Sequence, residues 1–222
     1  MKLTLFDLDG TLIPQDSDHA FGEFVISLGW AEEGEFRGRN DGFFQDYLEG
    51  RLDIHAYVDF ATSPWRGRTV EELDRAMAAF LATVIQPMLT PAAHELVQGH
   101  QRAGDLVAIV TATNDFVTRP IARLLGVDDL IATDLARDGS ARVTGHIQGV
   151  PCFREGKVAR LQAWLAARGL KLADFERSTF YSDSTNDLPL LEHVSHPVAT
   201  NPGPALERIA QDRGWPVLKL FA

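Results

Sequence analysis

The sequence predicts an α/β fold: a doubly wound, Rossmann-like parallel sheet with a second, smaller folding unit. Over most of the 222 residues, short apolar runs alternate with helix-like segments, as in a parallel sheet that helices cover on both faces. Residues 15–88 interrupt this alternation. They contain 14 acidic and 6 basic residues, no lysine, and 11 of the 20 aromatic residues. This change of composition indicates a unit that folds separately.

Apolar runs bounded by turn residues are predicted to be strands, at 3–8, 106–111, 179–181, 197–199 and 217–220. Helical signals occupy the segments 91–102, 116–125, 157–168 and 204–213. The first of these helices begins with Pro91 after Thr90, and proline is favoured in a first helical turn. Each of the four ends at or shortly before a glycine, which is a common stop signal.

The composition excludes several classes of function. With 21 basic and 31 acidic residues the net charge is −10, and no basic block is present, so we expect binding neither to nucleic acid nor to an anionic membrane. No run approaches the ~18 apolar residues of a membrane helix, and two early aspartates interrupt any signal-peptide core. The single cysteine, Cys152, allows no internal disulfide. We therefore expect a cytoplasmic protein.

Polar clusters follow three of the predicted strands. They are Asp7-Leu8-Asp9-Gly10-Thr11, Thr111-Ala112-Thr113-Asn114-Asp115 and Asp183-Ser184-Thr185-Asn186-Asp187. Lys157 opens the helix before the third of these strands. The carboxyl ends of parallel strands meet at one edge of a sheet, where ligands bind. We therefore expect the three clusters and Lys157 to form one site.

The residue types in this set suit phosphoryl chemistry. Carboxylates from separate strands can hold Mg²⁺, which prefers oxygen ligands. Asp7 can attack phosphorus to form an aspartyl phosphate, and Asp9 can serve first as acid and then as base. Thr111 and Lys157 can bind the phosphoryl oxygens, where negative charge must be stabilised. Arg154 is the competing cation for the role of Lys157.

These residues resemble the motifs of the haloacid dehalogenase (HAD) superfamily. The segment Asp7-Leu8-Asp9-Gly10-Thr11-Leu12 looks like its first motif, Thr111 like its second and Lys157 like its third. Asp183 with Asp187 resembles the fourth. All four follow in the order of the family, and the sequence is most similar to the phosphoserine-phosphatase-like branch, subfamily IB.

The resemblance implies the domain organisation and the reaction. It makes 1–14 and 89–222 the catalytic core and 15–88 a small α-helical cap inserted between the first two motifs. A dehalogenase lacks the second aspartate of motif one, a phosphonate-cleaving relative needs a cap lysine, and a P-type pump needs membrane helices. Phosphoester chemistry remains, and we expect a Mg²⁺-dependent phosphomonoesterase. A phosphotransferase or mutase, and a catalytically idle binding module, are the alternatives.

The resemblance also assigns individual side chains. The metal ligands and their supporting residues are Asp7, Asp183 and the backbone carbonyl of Asp9, with Asp187 and Thr11. The predicted contacts with the substrate in the core are Ala112, Thr113 and Asn186.

The expected substrate is a small phosphorylated metabolite with an amine. In phosphoserine phosphatases an acid shortly after motif one binds the amine, and Asp16 stands at the matching place, with Asp18 and Glu23 nearby. A cap arginine binds the substrate carboxylate in those enzymes, but residues 58–61 hold none. An amino alcohol phosphate such as histidinol phosphate needs no such arginine. The sequence leaves open whether the protein is a monomer or a homodimer.

Overall fold

A six-stranded parallel sheet is the centre of the computed structural model, which describes residues 1–221. The strands of the chain are β1 (Lys2–Phe6), β2 (Leu106–Asn114), β3 (Leu130–Thr133), β4 (Leu135–Arg137), β5 (Val143–Ile147), β6 (Arg177–Ser182), β7 (His196–Thr200) and β8 (Val217–Leu218). The sheet has the order β3-β2-β1-β6-β7-β8, and β4 pairs with β5 in a separate antiparallel hairpin. Strand β1 therefore lies in the middle, between β2 and β6.

The helices of the described residues are α1 (Ser17–Ser27), α2 (Glu33–Leu48), α3 (Ile54–Thr62), α4 (Val70–Phe80), α5 (Pro91–Arg102), α6 (Asp115–Leu124), α7 (Glu155–Ala166), α8 (Leu188–Leu191) and α9 (Pro204–Arg213). No single one of them is long and apolar enough to cross a membrane, although the bent pair 70–88 and 91–102 reaches that length when counted together.

Helices cover both faces of the sheet. Successive side chains of a strand point to opposite faces. Phe6 of β1 packs in one apolar cluster with residues of α5 and α6, whereas Leu3 and Leu5 pack in a second cluster with residues of α7 and α9. This arrangement confirms the predicted doubly wound α/β fold.

The observed elements differ from the predicted ones in a few places, each with a local cause. Strands β3, β4 and β5 were not predicted, because they are short and β5 is half polar. Strand β2 extends past Thr111 to Asn114, which pairs with Thr133 of β3. Helix α6 begins one residue earlier than predicted, because the Asn114 side chain accepts the Val117 N–H and caps it.

The segment 15–88 is helical, as the family resemblance implies. Local signals begin its helices: Asp16 caps α1, Asp53 caps α3, and Thr69 forms a capping box with Glu72 at α4. The hairpin β4–β5 lies outside this segment in sequence but packs against it, with the Arg66 guanidinium donating to the Thr144 carbonyl at 3.2 Å. The boundaries at 14/15 and 88/89 stay predictions, and residue 222, at the end of the predicted core, lies outside the described residues.

Candidate active site

A tight turn after β1 brings two aspartates to the edge of the sheet. The Leu8 carbonyl accepts hydrogen bonds from the N–H groups of residues 11–13 and closes this turn. Gly10 lies within it at φ 73°, in the left-handed region that favours glycine. As a result, Asp7 and Asp9 both line one cavity between the sheet and the helical cap.

Lys157 is the buried cation of the site. Its Nζ lies 2.9 Å from Asp7 Oδ1 and 2.7 Å from Asp187 Oδ2, and the residue is only 1% exposed. Burial acts to lower the pKa of Lys157, but the neighbouring carboxylates raise it above its usual value. The Ser182 hydroxyl also donates to Asp187, at 2.7 Å. Lys157 rather than Arg154 thus reaches the predicted nucleophile.

Asp183 follows β6 and faces the turn after β1. Its Oδ1 accepts the Thr11 hydroxyl at 3.1 Å, and its own N–H donates to the same hydroxyl oxygen at 3.1 Å. Burial, and then the charges of Asp7 and Asp187, raise the pKa of Asp183 well above its usual value. The structure therefore brings together more carboxylates than one lysine can balance, and places both predicted supporting residues beside them.

Both oxygens of Asp9 are held by hydrogen bonds. The Ser17 N–H donates to Oδ1 at 2.7 Å, and the Thr113 hydroxyl donates to Oδ2 at 2.9 Å. Burial and the charge of Asp16 raise the pKa of Asp9 to about 7, although these hydrogen bonds act to lower it. Asp9 can therefore both give and take a proton near neutral pH.

The end of β2 supplies the remaining core residues. Thr111 is buried, accepts the Thr113 N–H on its hydroxyl oxygen at 3.2 Å, and lines the cavity beside Ala112. Thr113 also lines the cavity, but its hydroxyl is directed to Asp9. The substrate contact of Thr113 stays a prediction, and the structure shows its hydroxyl donating to the predicted acid.

Asn186 lies at the contact between core and cap. Its Nδ2 donates to the Tyr47 carbonyl at 2.9 Å, and its Oδ1 accepts the Arg154 Nε at 3.4 Å. Arg154 also donates to the Gly50 carbonyl in the cap. Both ends of the Asn186 amide are therefore engaged and the residue does not line the cavity, so its contact with the substrate stays a prediction.

The cap side of the cavity is acidic and aromatic. Its side chains include Asp16, Asp18, His19, Phe43, Phe44, Tyr47 and Tyr57. Among the described residues that line this cavity there is no lysine or arginine. At the place where the resemblance puts an arginine, Val58 and Phe60 are buried in the cap, and Asp59 pairs with Arg66 at 2.8 Å.

Sequence reasoning missed two of these groups and underrated a third. Ser17 contacts Asp9 through its backbone, which no side-chain pattern reveals. Tyr57 belongs to α3, and only the packing of the cap brings it to the cavity. Asp18 was noted merely as a neighbour of Asp16, yet it is the more deeply buried of the two.

Comparison with known proteins identifies the family of this chain. The family model of haloacid dehalogenase-like hydrolases matches residues 4–192. The chain is 44% identical over 217 residues to histidinol-phosphatase of Neisseria meningitidis serogroup C (strain 8013), covering 98% of each chain. A crystal structure of a protein of unknown function from Bordetella pertussis Tohama I matches with a TM-score of 0.93 and 49% identity, over 99% of each chain. Substrate-bound phosphoserine phosphatase shares the fold, with a TM-score of 0.69 at 19% identity over 98% of this chain and 92% of that chain. The chain therefore belongs to the haloacid dehalogenase-like hydrolases, in their phosphoserine-phosphatase-like branch, and is a phosphatase.

Proposed function

We propose that the protein is a Mg²⁺-dependent phosphatase that hydrolyses a phosphorylated amino alcohol of the histidinol phosphate type. The charge of the cavity carries this proposal. Asp16 and Asp18 line it, and no lysine or arginine does so among the described residues. A substrate carboxylate would meet like charges there, whereas an ammonium group would be attracted. The 44% identity to histidinol-phosphatase of Neisseria meningitidis supports the same substrate class.

The aromatic residues of the cap suit the rest of such a substrate. Phe43, Phe44, Tyr47 and Tyr57 line the same cavity as the two carboxylates. Aromatic side chains favour a planar ring through stacking, and their faces attract a cation. A substrate with an imidazole ring and an ammonium group could contact both the aromatic side chains and the carboxylates of this cavity. A small aliphatic substrate would not contact the aromatic side chains in the same way.

The residues around Asp7 fit a divalent cation. Burial and neighbouring carboxylates raise the pKa of both Asp7 and Asp183, although Lys157 acts to lower the pKa of Asp7, so Lys157 alone does not balance the carboxylates of the site. The absence of a side chain at Gly10 leaves the space that the Asp183 carboxylate occupies. A bound Mg²⁺ would supply charge that neutralises these carboxylates and the substrate phosphate. The residues that would hold and support it are Asp7, Asp183 and the Asp9 carbonyl, with Thr11 and Asp187.

The first step transfers the phosphoryl group to Asp7. A carboxylate oxygen of Asp7 forms a bond to phosphorus while the bond from phosphorus to the substrate alcohol oxygen breaks. Lys157 holds Asp7 Oδ1, which leaves Oδ2 for the attack. Asp9 gives its proton to the departing oxygen, so the neutral alcohol leaves. The Thr111 hydroxyl lies at the cavity wall, where it can donate to a phosphoryl oxygen.

The second step regenerates the carboxylate. Water attacks phosphorus, and Asp9 accepts the proton of this water. The bond between phosphorus and the Asp7 oxygen then breaks, which releases inorganic phosphate. The pKa of Asp9, about 7, suits a group that must be an acid in one step and a base in the next.

The test is phosphate release in the presence of Mg²⁺ from histidinol phosphate, O-phosphoserine and p-nitrophenyl phosphate. We expect the highest kcat/KM with histidinol phosphate, and no release by Asp7→Asn. An equal or higher kcat/KM with phosphoserine would refute the substrate assignment. Free phosphate formed in equal amount to the alcohol would exclude transfer to another alcohol, the alternative that the family resemblance leaves open.

A further inference from the structure

Asp18 is a buried carboxylate in the wall of the catalytic cavity. It lies in the first turn of α1 and is 6% exposed. The Asn114 amide donates to its Oδ1 at 3.0 Å, and the Tyr57 hydroxyl is the other polar group that acts to lower the pKa of this carboxylate. Both partners are neutral, and no cation of the described residues pairs with Asp18. The carboxylate is therefore without a countercharge from the protein.

Asp16, two residues earlier, has a different task. Its Oδ1 accepts the N–H groups of Asp18 at 3.0 Å and of His19 at 2.7 Å, so it is the N-cap of α1. A neutral asparagine caps a helix as well as an aspartate does. The position of Asp16 is therefore explained by the start of the helix, without any ligand.

The contacts of Asp18 do not need a negative charge. The Asn114 amide is already oriented, because its Oδ1 accepts the Val117 N–H at 3.1 Å. A neutral acceptor at position 18 would satisfy the donor from Asn114 equally well. A buried carboxylate that lacks a cation costs stability or takes up a proton, and a positive partner would stabilise its charged form. The cavity is the side from which such a partner can come.

We infer that Asp18, rather than Asp16, is the residue that recognises the positive end of the substrate, with Asn114 holding its carboxylate in place. The inference rests on the proposed function, since it assumes an ammonium-bearing phosphomonoester. It makes Asp18 a specificity-determining residue. Binding of an ammonium gives the Asp18 carboxylate a countercharge, whereas with a substrate that has no cation the buried group stays uncompensated or takes up a proton. Discrimination therefore includes a penalty against neutral substrates.

The test compares two substrates that differ only in the amine, histidinol phosphate and imidazolylpropyl phosphate. The ratio of their kcat/KM values measures recognition of the ammonium. Asp18→Asn should lower this ratio by about 10- to 100-fold, the range expected for a charge-assisted hydrogen bond. Asp16→Asn, and the matched control Asp74→Asn on the exposed side of α4, should leave the ratio within about fivefold.

Product binding gives a readout that is independent of turnover. Isothermal titration with L-histidinol should show a dissociation constant raised by about 10- to 100-fold in Asp18→Asn and hardly changed in Asp16→Asn. If Asp18→Asn is insoluble, Asp18→Ser tests the same loss of charge, with far-UV circular dichroism to show that the variant is folded.

The outcomes separate this inference from the proposed function. A parent enzyme that prefers the amine, together with an Asp18→Asn variant that keeps this preference, overturns the inference alone. Loss of the preference in Asp16→Asn but not in Asp18→Asn does the same and returns the role to Asp16. A parent enzyme with no preference for the amine overturns the proposed substrate class and the inference with it.

Discussion

Replacing Gly10 with alanine should damage the proposed metal site through one identifiable contact. Gly10 has φ 73°, a conformation that costs an L residue about 1–2 kcal/mol. A Cβ at this position would lie 2.3 Å from Asp183 Oδ2 and 2.6 Å from its Cγ. Because ordinary van der Waals contact begins at 3.4 Å, the Asp183 carboxylate would have to retreat by about 1 Å.

Displacing the Asp183 carboxylate is unfavourable because a hydrogen bond holds it in place. Its Oδ1 accepts the Thr11 hydroxyl at 3.1 Å, and the residue is half-buried against the turn after β1. Moving it breaks this hydrogen bond and displaces a proposed metal ligand. A misplacement of about 1 Å can cost about 100-fold in rate. We therefore expect Gly10→Ala to lower kcat/KM by about that factor and to raise the Mg²⁺ concentration needed for half-maximal activity.

Gly29→Ala is the matched control. Gly29 has φ 69°, and nothing lies within 4 Å of a Cβ built there. Gly29→Ala should lose about 1–2 kcal/mol of unfolding free energy in urea titrations from backbone strain alone. Gly10→Ala should lose more, because the displaced Asp183 carboxylate and its broken hydrogen bond add to the same strain. Only Gly10→Ala should lose hydrolysis of p-nitrophenyl phosphate across a Mg²⁺ titration. Equal activity of the two variants would refute the role of the Asp183 carboxylate as a ligand held in one place.

Four further predictions concern the charged groups of the site. Asp7→Asn should abolish turnover, because an amide cannot form the acyl phosphate; turnover near that of the parent enzyme would contradict the covalent step. Asp9→Asn should slow alkyl phosphates more than aryl phosphates, whose leaving group needs no proton, and equal losses would argue against an acid. EDTA should remove activity and Mg²⁺ should restore it, whereas activity indifferent to EDTA would exclude the metal. The free energy of unfolding of Asp18→Asn, measured relative to that of the parent, should increase by up to about 4 kcal/mol as pH rises from about 3.9 to about 7. Burial and the charge of Asp9 raise the pKa of Asp18 to about 7, so over this range the folded parent retains a proton that the unfolded chain releases, and the parent loses stability. A stability difference between variant and parent that does not change with pH would contradict this raised pKa.

The catalytic edge could be predicted from the sequence because its geometry follows from strand pairing. Asp7 directly follows β1, and Asp183 directly follows β6. These two strands are parallel neighbours in register, with Phe6 opposite Tyr181. Parallel pairing brings their carboxyl ends together wherever the cap lies. A polar residue at the end of a buried apolar run is therefore a dependable signal for this kind of site.

The cap side of the site could not be predicted in the same way. Asn186 meets the Tyr47 carbonyl across a separation of 139 residues, a contact that depends on how the cap packs on the core. Asp16 and Asp18 are aspartates only two positions apart, and their roles differ because α1 begins between them. Residues two apart on a helix do not share a face. The sequence alone therefore does not tell which of the two aspartates caps α1.

Asp9 links the position of the cap to the chemistry of the core. One of its oxygens accepts the Ser17 N–H at the start of α1, and the other accepts the Thr113 hydroxyl from β2. A movement of α1 away from the sheet would break the first bond and leave the second. Because hydrogen bonds to a carboxylate lower its pKa against the effect of burial, such a movement would change both the orientation and the proton affinity of Asp9. Helix α1 therefore supplies Asp18 to the cavity and also fixes the orientation and proton affinity of Asp9, the acid that protonates the leaving group. Substrate recognition and proton transfer thus depend on the same placement of α1.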